Sequence, residues 1–347
     1  MSLASPIIAS IGIVVLPSAA IEAWSHRRSA ARLVAVLLVA VLLVAAILVA
    51  GTALPALAKN AVILNSNDDS LSVVDTATYQ ETSRTHVGRA PHHLIMTPDG
   101  QSLIVAMAGG DELVFIERAT GLVKQRLAAS DPYQIGFSPD SRWFVANSLR
   151  LDRIDIYDAA NYRLVHRLAA PTMPSHIGFS PDSLTVYVSL QGTNTLVAID
   201  LASGRPLWTV PVGRQPAGVW VRPLGTILVA IMGSDHIAEF DPRDGSVVRR
   251  VHTDRGAHNF LLSPDGKILY VSNRVAGTIS VLDAGTLALT GAMIAPGGPD
   301  DMALTPDGEE LWVTGRWRAS VNVIERATGT LKATIPVGRS PHGIFLY

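Results

Sequence analysis

Histidines are the residues of this sequence whose type and spacing best suit chemistry. The chain has ten histidines and no cysteine, so a transition-metal site would need imidazole and carboxylate ligands rather than thiolates. Half of the histidines fall at two adjacent positions of a repeating pattern, where fewer than one would be expected by chance; they are His92, His93, His176, His258 and His342. Neutral imidazole nitrogens bind borderline metals and also hydrogen-bond organic ligands.

Acidic, aromatic and basic residues share these positions or the loops expected beside them. Asp300 and Asp301 occupy both positions in one repeat, where a carboxylate either binds a metal or fixes the tautomer of a neighbouring histidine. We predict that the five histidines and Asp301 are metal ligands. The residues predicted to bind a small ligand are Tyr133, Asn147, Arg274, Asp300, Arg316 and Trp317. Arginines beside an aromatic ring suit a planar anion, through paired hydrogen bonds and stacking.

These residues leave three interpretations open at the level of sequence. The first is a metal site, with copper or another histidine-bound metal as the candidate. The second is a pocket that uses the same imidazoles to bind an organic ligand or substrate. The third is purely structural, with histidines that hydrogen-bond loop carbonyl groups where strands begin.

A turn motif fixes the spacing of the pattern. Ser/Thr-Pro-Asp-Gly/Ser occurs five times and a degenerate copy, Arg222-Pro223-Leu224-Gly225, occurs once, with successive prolines 41 or 42 residues apart. An acidic residue that ends an apolar segment recurs seven times, at Asp75, Glu117, Asp158, Asp200, Asp241, Asp283 and Glu325. Each period is typical of four short antiparallel strands, which is one blade of a β-propeller.

The difference between seven acids and six proline turns predicts how the ring closes. Segment 341–347 has the pattern of a first strand with no strands after it, and segment 61–87 has three strands with no first strand. Pairing the two completes a seventh blade and removes an exposed sheet edge. We therefore predict an all-β, seven-bladed propeller of four-stranded antiparallel blades over residues 59–347, closed by its N- and C-terminal strands.

The predicted blades place the recurring positions at one mouth of the central channel, because the first strand of each blade is innermost. His92 and His93 are consecutive, and consecutive residues of a regular strand point to opposite sides. Both imidazoles can face the channel only if the strand bends there.

Two segments carry a resemblance to a known family: Val337-Gly338-Arg339-Ser340-Pro341, and the run SPDGKILYVSN from Ser263 to Asn273. From residue 60 to 347 the chain resembles the YVTN-repeat β-propeller family, whose relatives include the cytochrome d1 haem-domain propellers. The resemblance implies the seven-bladed fold. It implies no single activity, since one fold carries many functions.

Residues 1–58 are predicted to be an export signal or a membrane anchor. Basic residues from His26 to Arg32 precede an apolar run from Leu33 to Ala50, and Pro55-Ala56-Leu57-Ala58 follows as a small-residue cleavage site. Cleavage after Ala58 is the favoured interpretation; a retained anchor is the alternative, because the run is nearly long enough to span a bilayer. Either one places the propeller outside the cytoplasm, in the periplasm or another extracytoplasmic location, with membrane contact only through an uncleaved segment.

A formal net charge of −1 argues against nucleic acid as a partner. We therefore expect an exported binding protein whose mouth takes a small molecule, a metal, or a redox cofactor or periplasmic redox protein. A copper-type oxidoreductase or a lactonase-like hydrolase at the same mouth is the enzymatic alternative. A protein-interaction scaffold is the third hypothesis.

Overall fold

A computed structural model of the chain describes residues 60–118, 121–170 and 172–347; the predicted export segment 1–58 lies outside them. The described residues form seven four-stranded antiparallel sheets, the blades, and one 3-10 turn at Ser66–Asp68. Blades 1 to 3 consist of β4 to β15: Pro91–Met96, Ser102–Met107, Glu112–Glu117, Val123–Ala128; Pro132–Phe137, Trp143–Ser148, Arg153–Asp158, Arg163–Ala169; Pro174–Phe179, Thr185–Leu190, Thr195–Asp200 and Pro206–Pro211. Blades 4 to 6 consist of β16 to β27: Pro216–Val221, Ile227–Ile231, His236–Phe240, Val247–His252; Ala257–Leu262, Ile268–Asn273, Thr278–Asp283, Leu289–Ile294; Pro299–Leu304, Glu310–Gly315, Ser320–Glu325 and Leu331–Pro336.

Blade 7 closes the ring with strands that are far apart in sequence. It consists of β28 (Pro341–Leu346) followed by β1 to β3 (Asn60–Asn65, Ser70–Asp75 and Gln80–His86). β28 pairs antiparallel with β1, so that Ala61 faces Leu346 and Ile63 faces Ile344. The predicted seven-bladed architecture and its closure are confirmed.

The hydrophobic core lies between neighbouring blades. Seven clusters of buried apolar side chains each combine residues from two adjacent blades; one, for example, joins Val145 and Ile154 of blade 2 to Val186 and Val188 of blade 3. Every blade therefore depends on both of its neighbours to cover its two apolar faces, as expected for stacked repeats.

The Ser/Thr-Pro-Asp turns join the first and second strands of blades. In blade 1 the Thr97 hydroxyl donates to Asp99 Oδ1 at 2.6 Å, and Gly100 N donates to the Thr97 carbonyl at 2.8 Å. Gly100 has φ +70°, which glycine adopts without strain. These turns lie at the face opposite the recurring histidine positions, and they fix where each first strand runs.

A β-bulge interrupts the first strand of every blade at the histidine positions. In blade 1, Pro91 pairs with Met107 while Leu94 pairs with Val105, so His92 and His93 together face one residue of β5. The same shift separates first and second strands in the other six blades. A bulge re-aims side chains, and it supplies the bend that two consecutive histidines require.

Within residues 60–118, 121–170 and 172–347, no helix has the length and apolar character needed to span a membrane.

Candidate functional site

The five recurring histidines meet at one mouth of the channel. The ring centroids of His92 and His342 are 3.6 Å apart, and those of His93 and His342 are 4.5 Å apart. His176 continues the series at 5.5 Å from His93, and His258 lies 5.1 Å from His176. All five side chains are buried, although they come from four different blades.

Three of these residues, His92, His93 and His342, form the histidine trio. One ring nitrogen from each lies within 4.8 Å of the others. β4 supplies two of the three because of its bulge, and β28 supplies the third across the closure of the ring. Imidazole nitrogens grouped this closely make the trio a candidate to hold one metal ion.

The hydrogen bonds of the trio leave nitrogen lone pairs free. His93 Nδ1 lies 2.9 Å from the Tyr133 carbonyl oxygen, which can only accept, so Nδ1 carries the proton and Nε2 the lone pair. His93 Nε2 and both ring nitrogens of His342 are buried and have no hydrogen-bond partner among the described residues. His92 Nδ1 lies 2.8 Å from His93 Nδ1. Buried polar atoms without partners are uncommon in folded proteins, and an ordered water or a bound ion is their usual partner.

Burial keeps these imidazoles neutral. It lowers the pKa of His93 to about 4 and holds the pKa values of His92, His176 and His342 well below the ordinary value for histidine. Burial, followed by the charge of Arg274, also lowers the pKa of His258. At neutral pH all five rings therefore keep the lone pair that a metal requires.

Asp300 is the centre of a charged network beside the trio, and its side chain is completely buried. Its Oδ1 accepts a hydrogen bond from Arg274 Nη2 at 2.5 Å, and its Oδ2 accepts one from Arg316 Nη1 at 3.0 Å. The same carboxylate lies 3.0 Å from His258 Nδ1 and 3.6 Å from His342 Nε2. Burial opposes its ionisation, but Arg274 and the neighbouring histidines hold the pKa of Asp300 well below its usual range.

Among the other predicted metal ligands, His176 is the better placed for coordination. His176 Nε2 is buried and has no partner among the described residues, while its Nδ1 lies 2.8 Å from Ser175 Oγ. His258 Nδ1 also has no hydrogen-bond partner among the described residues, but it lies 3.0 Å from Asp300 Oδ1, and His258 Nε2 accepts a hydrogen bond from Arg274 Nη2 at 2.7 Å. Asp301 accepts from Asn259 Nδ2 at 3.1 Å, and burial together with Asp300 raises its pKa to about 7.

The residues predicted to bind a small ligand are spread over different environments. The ring of Tyr133 lies 4.0 Å from that of His92 and lines the mouth. Arg274 and Arg316 bind Asp300, whereas Trp317 is 61% exposed on the rim. Asn147 is completely buried, and its Nδ2 donates to the Ser175 carbonyl at 3.0 Å, which ties blade 2 to blade 3.

The family model for YNCE-like β-propellers matches residues 22–347. The chain belongs to this family. No curated protein matches the sequence. The solved structures that resemble this YNCE-like propeller include a functionally unknown protein from Desulfotomaculum acetoxidans DSM 771, at 16% identity and a TM-score of 0.72, covering 83% of this chain and 98% of that one.

Two further solved structures have related folds. A putative 6-phosphogluconolactonase from Bacteroides fragilis NCTC 9343 is 18% identical, with a TM-score of 0.67, and covers 84% of this chain and 98% of its own. A dihydro-haem d1 dehydrogenase is 16% identical, with a TM-score of 0.62, and covers 83% and 75%. The family assignment and the likeness to a d1 haem propeller confirm the resemblance inferred from the sequence. At these identities the likeness concerns the fold alone.

Hydroxyl groups that the sequence did not single out hold the bulges of this YNCE-like propeller in place. Thr314 Oγ1 donates to the His342 carbonyl at 2.9 Å and accepts a hydrogen bond from Asp301 N at 2.9 Å. Ser272 Oγ donates a hydrogen bond to the Asp300 carbonyl oxygen. Ser189 Oγ donates one to the Ala217 carbonyl oxygen. All three are the fifth residue of a second strand, and a recurring hydroxyl in an apolar strand is the signal that could have revealed them.

Gly343 gives the trio the space it needs. A Cβ atom at this position would lie 3.0 Å from the His92 carbonyl oxygen and 2.9 Å from a methyl carbon of Leu94. A larger residue would therefore push β4 of the next blade away from β28. The glycine allows the first strands of blades 7 and 1 to approach closely enough for their imidazoles to stack.

Replacing Thr314 by valine should lower the free energy of unfolding by about 1–3 kcal/mol, because the buried His342 carbonyl would lose its donor. Urea denaturation of the full chain measures this change. Thr314→Ser keeps the hydroxyl and is the matched control, with a much smaller expected loss. Equal stability of the valine variant and the wild type would show that the hydroxyl does not hold the bulge.

Proposed function

We propose that this YNCE-like propeller is an exported binding protein that holds a transition metal ion, with copper as the first candidate, at the histidine trio. The observation that supports it most is the meeting of His92, His93 and His342, whose ligand nitrogens lie within 4.8 Å of one another. The proposal that the protein is exported rests on the sequence pattern of residues 1–58.

The chemistry of the donor set favours a borderline metal. Imidazole nitrogens suit copper, zinc and nickel. A site without thiolates does not favour iron–sulfur clusters, which need cysteine ligands. The pKa values of the trio lie below neutrality, so no proton needs to be displaced before binding. A metal would also satisfy His93 Nε2 and one of the two His342 nitrogens that have no partner among the described residues.

The surrounding residues take supporting parts in this proposal. Asp300 Oδ2, 3.6 Å from His342 Nε2, would orient that ring through its charge, and carboxylates behind ligating histidines commonly do so. His176 stands next to His93 with a free Nε2 and is the candidate for a further ligand. His258 and Asp301 already have polar partners, which supports a structural part for them.

An organic anion at the same mouth has less support. Both arginines predicted to bind it, Arg274 and Arg316, already share the carboxylate of Asp300. Asn147 is buried in a contact between blades. The likeness to a putative lactonase concerns the fold, so a hydrolytic function has no residue-level support from it.

Metal titration of the full chain tests the proposal. After chelator treatment, we expect isothermal titration to give one equivalent of Cu²⁺ bound per chain, with a rise in the unfolding temperature because a bound ligand stabilises the folded state. His342→Ala should weaken the affinity on the order of 100-fold, about 2.7 kcal/mol. Circular dichroism and thermal unfolding establish that the variant is folded.

His252→Ala is the matched control, because His252 is an exposed histidine of blade 4 outside the trio. It should bind copper as the wild type does. The proposal is wrong if the wild-type chain takes up neither copper nor zinc, or if both variants lose the same affinity.

A further inference from the structure

Trp317 presents an exposed aromatic ring on a loop whose backbone is fixed. The residue lies between β25 and β26 and is 61% exposed, although tryptophan is usually well buried. A Cβ atom at Gly298 would lie only 2.5–2.9 Å from three atoms of the indole ring, so the ring lies directly against the glycine backbone. Trp317 N donates to the Gly297 carbonyl at 2.8 Å, and Arg316 N donates to the Gly298 carbonyl at 3.1 Å. The ring is therefore supported on one side while much of its surface is open to solvent.

The surroundings of this ring form a depression of about 700 Å³, which we call the rim depression. Its lining includes the two arginines that flank Trp317 in sequence and one from the connector between β27 and β28; they are Arg316, Arg318 and Arg339. None of the described residues that line the depression is acidic. Guanidinium groups stay protonated in proteins, so this positive charge does not depend on pH.

Acidic residues outside the lining offset only part of the positive charge. Arg316 Nη1 binds Asp300 Oδ2 at 3.0 Å, and Arg339 Nε binds Asp68 Oδ1 at 2.5 Å. The side chain of Arg318 is exposed and has no hydrogen bond or ion pair among the described residues. One guanidinium group beside the indole ring is therefore available to an anion from solution.

We infer that the rim depression binds a small aromatic carboxylate, with the ligand's ring against Trp317 and its carboxylate paired with Arg318. Guanidinium and carboxylate groups form two parallel hydrogen bonds, and aromatic rings attract one another in offset or tilted arrangements. An aliphatic carboxylate would use the arginine alone, and a neutral aromatic molecule the indole alone. None of the histidine trio lines the depression, so the inference does not rest on the proposed metal function.

Titration of the full chain with 2-naphthoate, followed by ligand-observed NMR with a chelator present, tests the inference. We expect saturable binding with a Kd of about 0.1–1 mM, since one ring contact and one exposed ion pair contribute little each. 2-Naphthamide has the same rings without the charge and should bind about fivefold more weakly. Acetate has the charge without the rings and should not displace 2-naphthoate at equal concentration.

Two variants separate the contributions of the ring and of the charge. Trp317→Ala should weaken the binding of both aromatic ligands at least about tenfold. Arg318→Gln should weaken 2-naphthoate about fivefold and leave 2-naphthamide unchanged, because it removes only the charge. Arg214→Gln is the matched control: Arg214 lies on the same face, and its side chain donates only a long 3.4 Å bond to the Gly233 carbonyl among the described residues, so both affinities should stay unchanged. Circular dichroism establishes that each variant is folded.

Three results would overturn the inference. They are the absence of saturable 2-naphthoate binding, equal 2-naphthoate affinity of Trp317→Ala and the wild type, and equal affinity of the wild type for 2-naphthoate and 2-naphthamide. The last result would mean that the arginines take no part in binding. Copper uptake at the trio is measured separately, so a failure of either proposal leaves the other standing.

Discussion

Replacing Asp300 by asparagine should destabilise the propeller by about 3–5 kcal/mol, the usual result of breaking a buried charge pair from one side. The variant keeps the shape of the side chain but leaves Arg274 and Arg316 without their shared carboxylate. Arg274 is only 15% exposed, so water can solvate it poorly. The midpoint of guanidinium chloride denaturation should fall, with an unchanged dependence on denaturant.

Two comparisons make this result specific. Asp241→Asn removes a carboxylate whose partner, Arg243, is 84% exposed, and it should cost much less because water can solvate that guanidinium group. Adding Arg316→Gln to Asp300→Asn should recover part of the lost stability, because one of the two uncompensated charges is removed. A double variant less stable than Asp300→Asn would mean that charge is not the source of the loss.

Metal-free propeller should lose stability steeply as the pH falls below about 6.5. The pKa values of the mouth histidines are lower in the folded chain than the value of about 6.5 for an unfolded chain, so the unfolded state binds more protons in this range and is favoured by acid. For His93, with a folded pKa of about 4, the loss amounts to about 3 kcal/mol on acidification to pH 4.

Asp301 acts in the opposite direction. Its pKa is raised to about 7 in the folded chain, so it favours the folded state as the pH falls from 7 toward 4. The four histidines with strongly lowered pKa values outweigh this single carboxyl group. The free energy of unfolding therefore still falls as the pH is lowered. Asp300 does not contribute above pH 4, because its folded pKa is depressed and its stabilisation is lost only in stronger acid.

Unfolding curves measured with a chelator between pH 7 and 4.5 test this expectation. His176→Gln removes one buried imidazole and should reduce the slope of unfolding free energy against pH by about 1.4 kcal/mol per unit below pH 6.5. His252→Ala, which removes an exposed imidazole of blade 4, is the control for loss of a histidine away from the mouth. Stability independent of pH down to 4.5 would mean that the mouth histidines are protonated without penalty, contrary to their burial.

The fold could be predicted from sequence because the repeat is regular and its exceptions are informative. Turn formers every 41 or 42 residues marked the blades, and an unpaired first strand at residues 341–347 called for partners at 61–87. In blade 1 the sequence predicts strands at 92–97, 102–108, 112–117 and 122–127. β6 matches its prediction, β5 ends one residue earlier, and β4 and β7 are each shifted by one residue at both ends. Short strands bounded by glycine and proline leave little freedom for other boundaries.

The interior of the site depends on information that a repeat pattern does not contain. Position alone placed Asp300 at the mouth, but its bonds to two arginines depend on loops that differ between blades. Asn147 shared a loop position with residues at the rim, yet its side chain points into a contact between blades. The bulge that turns both His92 and His93 inward is a feature of backbone pairing, which side-chain periodicity does not reveal.

The pairing of β28 with β1 couples the trio to the order of protein synthesis. The ribosome makes His92 and His93 early and His342 only after the strands of six blades have been completed. A nascent or prematurely terminated polypeptide has two of the three imidazoles, so under the proposed function it would bind a metal ion weakly. Under the proposed function, only chains in which β28 has been made and has paired with β1 would bind a metal ion tightly.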